Sequence, residues 1–278
     1  MLNSISDIRN IFVYKYLNKK FDKCSYYSDR KRITIHGAYF KADEPYIFKK
    51  PNGDYIKREI DWYNSQSLNV NDIKGKIPTI WKQISDKNGN INSNYGTLMF
   101  SSEFNCQYDM CLQALEDDPY TNHGIIITTR PSIHNEWNKN GMKDFICLQT
   151  VQFFIEKNTL KVYVNFRSND AIYGYRNDYA WIDYISDKLM NDLNGYYKKH
   201  DINVDLYLKE IYWFAGTLHI YEDQFKDIQE FIDSHHEISE DTIRQMEYEL
   251  AAECDPSFNV GNREVLEPDK NIFEKDNL

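Results

Sequence analysis

The sequence lacks a long hydrophobic run. Its longest uninterrupted apolar stretch is Ile-Tyr-Trp-Phe-Ala at 211–215, whereas a helix needs about 20 apolar residues to cross a bilayer. Residues 1–20 carry many polar and charged side chains and contain no apolar signal core. We therefore predict a cytoplasmic protein without a membrane partner.

The sequence also lacks two cysteines at metal-ligand spacing, and it has no excess of positive charge. The five cysteines include no Cys-x-x-Cys pair, which argues against a disulfide framework and a structural zinc site. The 33 basic and 43 acidic side chains give a net charge of −10, so we expect no binding of duplex nucleic acid, which needs a basic surface. Aromatic residues are abundant instead, at 15% of 278 residues, too many for a disordered chain.

Hydrophobic periodicity predicts helices and strands over residues 1–236 without a dividing linker, as expected of one compact domain. Residues 237–278 are predicted to form an acidic amphipathic helix, over 239–252, and a polar tail. Two segments are predicted to be irregular: a charged turn at 28–31 and loops over 72–94. The remaining predicted helices lie within 1–23, 52–66, 107–115 and 178–193, and the predicted strands are 32–40, 124–130, 147–155, 160–166 and 211–221.

The two strands around residues 156–159 are predicted to form a β-hairpin. A turn centred between residues 157 and 158 places Cys147 opposite Ser168 and beside Arg167 in an antiparallel ladder. A neighbouring guanidinium lowers the pKa of a thiol and makes it a better nucleophile. The alternative for Cys147 is a small residue of the core.

A carboxylate lies at the edge of an apolar helix stripe. Ile56, Ile60 and Tyr63 form the stripe, and Glu59 lies about 60° around the helix axis from Ile56. A carboxylate directed toward a core requires a reason. Either it has a partner such as an arginine, or it is catalytic.

A second carboxylate, that of Asp178, lies at the predicted start of a helix. The apolar stripe of this helix begins with Trp181. Asn177 or Asp178 is a suitable N-cap for this helix, and Asn194 with the glycine after it is a suitable stop. Capping is therefore the alternative to a functional role for Asp178. On the last predicted strand His219 and Tyr221 lie two residues apart and share one face.

Several longer motifs follow one another along the chain. They are Ala-Asp-Glu-Pro-Tyr-Ile at 42–47, Arg-Glu-Ile-Asp-Trp at 58–62, Ile-Asn-Ser-Asn-Tyr-Gly at 91–96, Gln-Tyr-Asp-Met-Cys-Leu at 107–112, Arg-Ser-Asn-Asp at 167–170 and Arg-Asn-Asp-Tyr-Ala-Trp at 176–181. In this order they resemble the thymidylate synthase family, and more closely its phage branch, the deoxycytidylate hydroxymethylases. The resemblance extends from about Ile33 to Phe225.

The resemblance implies an α+β fold, with a single thymidylate synthase-like domain, a mixed or antiparallel sheet packed with helices, and a homodimer formed through the sheet. It implies a hydroxymethyl transfer from the co-substrate 5,10-methylenetetrahydrofolate, with water, to C5 of the pyrimidine nucleoside monophosphate dCMP, without a metal. Hydroxymethylation is favoured because the 176–181 string replaces the Pro-Phe-Asn of synthases and Leu148 replaces their histidine. The alternatives are the same chemistry on CMP or dUMP, thymidylate synthase activity, or a nucleotide- or RNA-binding homologue without turnover.

The resemblance also implies roles for the catalytic residues. Cys147 corresponds to the thiolate that adds to C6 of the pyrimidine, which makes C5 nucleophilic. Glu59 corresponds to the glutamate that moves protons through water, and Tyr95 to the tyrosine near the C5 proton. Asp178 is expected to recognise cytosine, because a carboxyl group can accept from N4 and, when protonated, donate to N3.

The implied binding residues fall into two groups. Those for the nucleotide are Arg167 and Ser168 at the phosphate, His219 and Tyr221 at the sugar hydroxyl, and Asn177 in the same string as Asp178. Those for the folate are Asp170, Trp81 and Gly174.

One motif departs from the family. Relatives carry two adjacent arginines that bind the substrate phosphate across the dimer, but Asn122 and His123 stand at that place here. Two permanent charges are thus missing. One possibility is that Arg167, together with the nearby Arg30 or Lys31, suffices to bind the phosphate. The alternative is a reduced affinity for a monophosphate or a different preferred substrate.

Overall fold

The computed structural model of the protein describes residues 2–234. Its strands are β1 (Asp22–Ser25), β2 (Ser28–Lys41), β3 (Ile125–Ile127), β4 (Leu148–Glu156), β5 (Thr159–Phe166), β6 (Asn169–Asp170) and β7 (Leu208–Tyr221). Its α-helices are α1 (Ile5–Leu17), α2 (Gly53–Asn64), α3 (Thr79–Ile84), α4 (Tyr95–Phe100), α5 (Gln107–Asp117), α6 (Ile133–Glu136), α7 (Gly174–Lys199) and α8 (Phe225–Ser234).

The strands of this part of the chain form one mixed sheet in the order β1-β2-β7-β5-β4-β3, with β6 beside β7. The pairs β5–β7 and β6–β7 are parallel, and the other pairs are antiparallel. The predicted α+β fold with a mixed sheet is therefore confirmed. Within residues 2–234 no helix is long and apolar enough to span a bilayer.

One face of the sheet is covered by helices, and we call it the inner face. Its residues alternate along each strand with those of the other face, as a pleated sheet requires. Trp213 of β7 stacks on Phe166 of β5 at 4.9 Å between ring centroids. Tyr175 of α7 packs edge-on against Trp213 and also contacts Phe40 of β2. Helix α7 therefore lies against the inner face.

The opposite face, which we call the outer face, carries aromatic side chains with solvent exposure. Tyr39 and Phe214 are opposite each other on β2 and β7 and are 44% and 37% exposed. Tyr163 and Tyr212 are opposite each other on β5 and β7 and stack at 4.9 Å.

The structure corrects three predictions of secondary structure. Residues 28–31 belong to β2, and the hairpin turn lies at the exposed Tyr26 and Tyr27. The predicted loop over 72–94 contains the short helix α3. Of the predicted strand 124–130 only the three residues of β3 pair with β4.

Helix α7 is longer than predicted at its C-terminal end. Asn194 does not stop it, because the Asn194 side chain exchanges two hydrogen bonds of 2.8 Å with the backbone of Leu206. Continuing the helix buries Tyr197, whose hydroxyl donates to the carbonyl of Leu115 at 2.7 Å. The predicted helix over 239–252 and the polar tail lie outside the described residues, and the domain boundary at 236 stays a prediction.

Candidate active site

Cys147 lies at the end of the β4–β5 hairpin that its sequence predicted. Val151 pairs with Val164, as a turn between 157 and 158 requires, but the register shifts between Leu148 and Thr150. The prediction that Cys147 lies opposite Ser168 is therefore wrong by one residue. The backbone N–H of Arg167 donates to the Cys147 carbonyl at 3.0 Å, so the thiol and the guanidinium are direct cross-strand neighbours.

The Arg167 side chain is fixed above the thiol. Its guanidinium donates to the carbonyls of Phe145 and Ile146 at 2.6 and 3.0 Å, and to the sulfur of Cys147 at 3.4 Å. Two backbone carbonyls hold the cation at this place without neutralising it. A permanent charge beside a thiol favours the thiolate.

The ionisation of Cys147 nevertheless differs from the sequence prediction. Burial raises the pKa of this thiol to about 11, although Arg167 acts to lower it, and the charges of Asp178 and Asp144 raise it further. The predicted lowering is thus wrong for the ligand-free protein, because desolvation of the thiolate outweighs one neighbouring cation. The thiol is protonated at neutral pH until a change in the site favours its ionisation.

Glu59 is buried in the middle of α2, a helix capped by Asn52, which accepts from the backbone N–H of Tyr55 at 3.1 Å. Its carboxylate accepts a hydrogen bond from the Tyr55 hydroxyl and another from the Trp81 indole at 3.2 Å. The suggested arginine partner is therefore wrong. The sequence analysis did not identify Tyr55 as the partner of Glu59, although its position four residues before Glu59 places both on one helix face.

The surroundings of Glu59 suit a group that exchanges protons. Burial raises the pKa of Glu59 to about 7, while the hydrogen bonds from Tyr55 and Trp81 and the charge of Arg176 act against this rise. A carboxyl group with a pKa near neutrality can act as both acid and base at that pH. Trp81 is half-buried and meets Trp62 edge-on at 5.2 Å, so part of its ring is open to a flat ligand beside Glu59.

Because burial raises the pKa of Glu59, the charged carboxylate destabilises the folded protein, and this gives a testable prediction. A group whose pKa is higher in the folded state stabilises the fold when protonated, and this contribution is lost as the pH rises from about 4.5 to 7. We expect Glu59→Gln to stabilise the ligand-free protein at pH 8 by about 3 kcal/mol, and to have little effect near pH 4.5. Urea unfolding at both pH values measures this difference. The exposed Glu103→Gln is the control, and an equal pH dependence in all three proteins would contradict the assignment.

Asp178 lies in the second turn of α7, so the capping alternative is wrong. The turn that leads into α7 is held by Asp170, whose Oδ1 accepts from the backbone N–H groups of Ile172, Tyr173 and Gly174, the last being the first residue of the helix. A Cβ at Gly174 would lie 3.1 Å from the Cβ of Asp170, so a larger residue there would require a small shift of Asp170. Asp178 is left free of the backbone, and its Oδ2 accepts from Asn169 Nδ2 at 2.7 Å.

The surroundings of Asp178 favour its neutral, protonated form. Burial raises its pKa well above the ordinary value, and the nearby charge of Glu59 raises it further, against the hydrogen bond from Asn169. A protonated carboxyl group has one donor and one acceptor oxygen. Next to it, Asn177 has a buried Oδ1 without a hydrogen-bond partner among residues 2–234, so this stretch of α7 presents polar atoms that a ligand can pair.

Tyr95 completes the group of predicted catalytic residues. It begins α4, which approaches α2 so closely that a Cβ on Gly96 would lie 1.8 Å from the Tyr63 carbonyl oxygen. The Tyr95 ring packs on Tyr63 at 5.4 Å. Burial raises the pKa of Tyr95, and the charges of Asp178 and Cys147 contribute. The structure thus brings these residues within electrostatic range of one another.

The predicted sugar-binding residues lie together on β7. His219 is buried, and its ring meets the Tyr221 ring edge-on at 4.7 Å. Next to them, Thr217 donates a hydrogen bond of 3.0 Å to the Ser168 hydroxyl. Asp170 of β6 is the register partner of His219. These residues therefore form one continuous polar patch on the sheet.

Of the remaining predicted phosphate ligands, the structure brings Arg30 to the edge of this patch, but not Asn122, His123 or Lys31. Asn122 and His123 are exposed on the loop after α5, and within residues 2–234 no hydrogen bond or ion pair joins them to the other predicted site residues. Lys31 is exposed. Arg30 is ion-paired with Asp223, with its guanidinium 4.1 Å from the centre of the Tyr221 ring.

This sheet, with a thiol at the edge of a hairpin and a buried carboxyl group facing it from a helix, has the fold of thymidylate synthases. Thermostable thymidylate synthase A from Bacillus subtilis superimposes with a TM-score of 0.58 at 17% identity, covering 82% of this chain and 83% of that one. The family model of thymidylate synthase matches residues 46–251. The chain belongs to this family.

Relatives with known activity are much closer in sequence than that structure. Deoxycytidylate 5-hydroxymethyltransferases of Enterobacteria phages T4, T2 and T6 are each 47% identical to this chain over 195 residues. The alignment covers 70% of this chain and 78% of each relative. The resemblance inferred from the motifs is therefore confirmed.

Proposed function

We propose that this protein transfers a hydroxymethyl group from 5,10-methylenetetrahydrofolate, with water, to C5 of dCMP, giving 5-hydroxymethyl-dCMP for modified DNA. The observation that carries the proposal is the buried Asp178, whose pKa is raised well above its ordinary value, in the same site as Cys147. The names of the phage relatives support the choice of reaction and of base. Because these relatives come from phages, we place the reaction in the cytoplasm of an infected host cell.

Cys147 provides the nucleophile of the first step. Its sulfur forms a bond to C6 of the pyrimidine, and the electron pair of the C5–C6 double bond makes C5 nucleophilic toward the one-carbon unit that the folate supplies. Since the thiol has a pKa of about 11, its proton must leave as the nucleotide binds. Arg167, at 3.4 Å from the sulfur, stabilises the thiolate formed at that moment.

Asp178 selects the base. Its protonated oxygen donates to N3 of cytosine, and its other oxygen accepts from the N4 amino group. Asn169 holds this carboxyl group through the 2.7 Å hydrogen bond to Oδ2. Uracil presents N3–H and O4, the opposite pattern, and would leave buried polar groups unpaired. The arrangement therefore favours dCMP over dUMP.

Glu59 moves protons at the base. With a pKa of about 7 it can accept the C5 proton through water and return a proton in a later step. Tyr95, next to Asp178 and Cys147, is placed to orient that water. Capture of the C5 methylene by water gives the hydroxymethyl product, whereas capture by hydride from the folate, as in thymidylate synthases, would give a 5-methyl product.

Product analysis tests the proposal. The protein is incubated with 5,10-methylenetetrahydrofolate and dCMP, CMP or dUMP, and the products are identified by mass spectrometry. We expect a hydroxymethyl product from dCMP and loss of tritium from C5-labelled dCMP. A methylated product would indicate thymidylate synthase chemistry. Turnover of CMP without turnover of dCMP would identify CMP as the substrate. Binding of dCMP without release of tritium would identify a nucleotide-binding homologue without turnover.

We also propose that two copies of the protein pair through the outer face of the sheet. The face carries the stacked rings of Tyr163 and Tyr212 and the exposed rings of Tyr39 and Phe214. Exposed apolar patches of this kind are covered in stable proteins. A second copy of the same face is the expected cover, since a two-fold axis makes one patch complementary to itself.

A charge on this face is expected to separate the copies. Phe214→Glu places a carboxylate at the centre of the patch, where burial of an unpaired charge costs several kcal/mol. Sedimentation at micromolar concentration is expected to show a dimer for the native protein and a monomer for the variant. Tyr26→Glu, at a 91% exposed turn residue, is the control and should stay dimeric. A native monomer would refute the proposed pairing.

A further inference from the structure

Two side chains that the motifs did not single out lie beside the predicted sugar-binding pair. In the β2–β7 register Thr34 is opposite His219, and Arg32 is opposite Tyr221. Cross-strand partners point to the same face of a sheet. Arg32 and Thr34 therefore extend the polar patch of His219 and Tyr221 from β7 onto β2, on the inner face.

This part of the patch contains buried polar atoms without partners. Thr34 is 1% exposed and His219 is 5% exposed. Thr34 Oγ1, His219 Nδ1 and Arg32 Nε are buried, and none has a hydrogen-bond partner among residues 2–234. Because buried polar groups are normally paired, three unpaired atoms on one patch indicate a place where a polar ligand binds.

The charge of Arg32 is also without a counter-ion in the described part of the chain. Asp22 is its register partner on β1, yet no ion pair joins them, whereas Arg30 is ion-paired with Asp223. A partly buried guanidinium without a carboxylate is costly unless an anion binds to it. The ligand expected at Arg32 is therefore an anion.

Arg32 and Arg167 both act on the same imidazole. Burial lowers the pKa of His219, the charge of Asp170 opposes this, and the charges of Arg32 and Arg167 lower the pKa further. The two guanidinium groups therefore lie within electrostatic range of His219. An anion bound next to His219 would interact with both cations.

We propose that Arg32 binds the phosphate of the nucleotide and supplies, together with Arg167, the positive charge that Asn122 and His123 do not provide. This rests on the proposed function, because it takes the substrate to be a nucleoside monophosphate. A guanidinium suits this role, since its planar N–H groups form paired hydrogen bonds with phosphate oxygens. Thr34 lies next to Arg32 on the same face and donates its unpaired hydroxyl to the sugar or phosphate.

Calorimetric binding of dCMP and deoxycytidine at fixed ionic strength tests the role of Arg32 without requiring turnover. Arg32→Gln is expected to raise the Kd for dCMP at least about tenfold, as loss of one charged hydrogen-bonded contact does, and to change the Kd for deoxycytidine less than about twofold. Arg32→Lys should recover part of the loss. Lys23→Gln removes an equal charge from an exposed residue of β1 and should bind both ligands as the native protein does.

Other outcomes would overturn the role of Arg32. Equal weakening of dCMP and deoxycytidine in both Arg32 variants would show that Arg32 supports the sugar or the fold. An unchanged Kd for dCMP in Arg32→Gln would show that Arg32 does not contact the phosphate. Equal affinity of the native protein for both ligands would show that it has no phosphate site. The reaction itself is tested separately, by product analysis of the native protein.

Discussion

Replacement of Cys147 by alanine is expected to abolish turnover, lowering kcat by at least about 10⁴-fold, as loss of a covalent nucleophile does. The addition at C6 precedes every later step, so tritium release from C5 of labelled dCMP should disappear with product formation. Binding of dCMP should persist, because the polar patch of His219 and the guanidinium of Arg167 are unchanged. Tritium release and calorimetric binding measure the two effects separately.

The matched control is Cys111→Ala. Burial raises the pKa of Cys111 to about 12, much as it raises that of Cys147, but Cys111 lies on α5, and no arginine of residues 2–234 acts on its pKa. This variant should keep near-native turnover. If Cys147→Ala retained C5 exchange, or if both variants lost it equally, Cys147 would not be the nucleophile.

Replacement of Asp178 by asparagine is expected to shift the preferred base from cytosine to uracil. The amide donates to O4 and accepts from N3–H of uracil, while against cytosine it leaves donors or acceptors unpaired. A site built to pair one hydrogen-bonding edge rejects the other by several kcal/mol, so the ratio of kcat/KM for dCMP to that for dUMP should fall by about 10²- to 10⁴-fold. The fold should tolerate the change, because burial of Asp178 favours its neutral form, which the amide resembles in charge.

Asp187→Asn is the control for this prediction. Asp187 lies on the same helix, is exposed and pairs with Lys209, so its replacement should leave the ratio of the two kcat/KM values unchanged. Competition between dCMP and dUMP in one assay measures the ratio directly. An unchanged ratio in Asp178→Asn would mean that other groups read the base.

The sequence by itself determined the local structure that carries the nucleophile. Alternating apolar residues and a polar turn predicted the hairpin, and most of its register follows from the turn, as the pairing of Val151 with Val164 shows. The position of Glu59 at the edge of a helix stripe predicted a carboxylate near the core, and it is buried. Such predictions succeed because they depend on residues close together in the chain.

The tertiary structure alone decided which alternative applies at each polar residue. Local signals made Asp178 a possible cap, but the helix begins at Gly174, with Asp170 holding the turn before it, and Asp178 lies in its second turn. Nearness to Arg167 predicted a lowered pKa for Cys147, but burial raises it to about 11. Desolvation depends on every element packed around a group, and the motif residues next to it in the chain do not reveal that packing.

The same limit applies to the phosphate site. The sequence singled out Arg30 and Lys31 on a charged turn, and it gave no reason to choose Arg32, the next cation along the chain. The structure separates Arg30 from Arg32, because Asp223 pairs with Arg30, whereas the register of β2 on β7 places Arg32 opposite Tyr221. Strands distant in sequence are paired by the whole sheet, so only the folded chain determines which cation remains available to an anion.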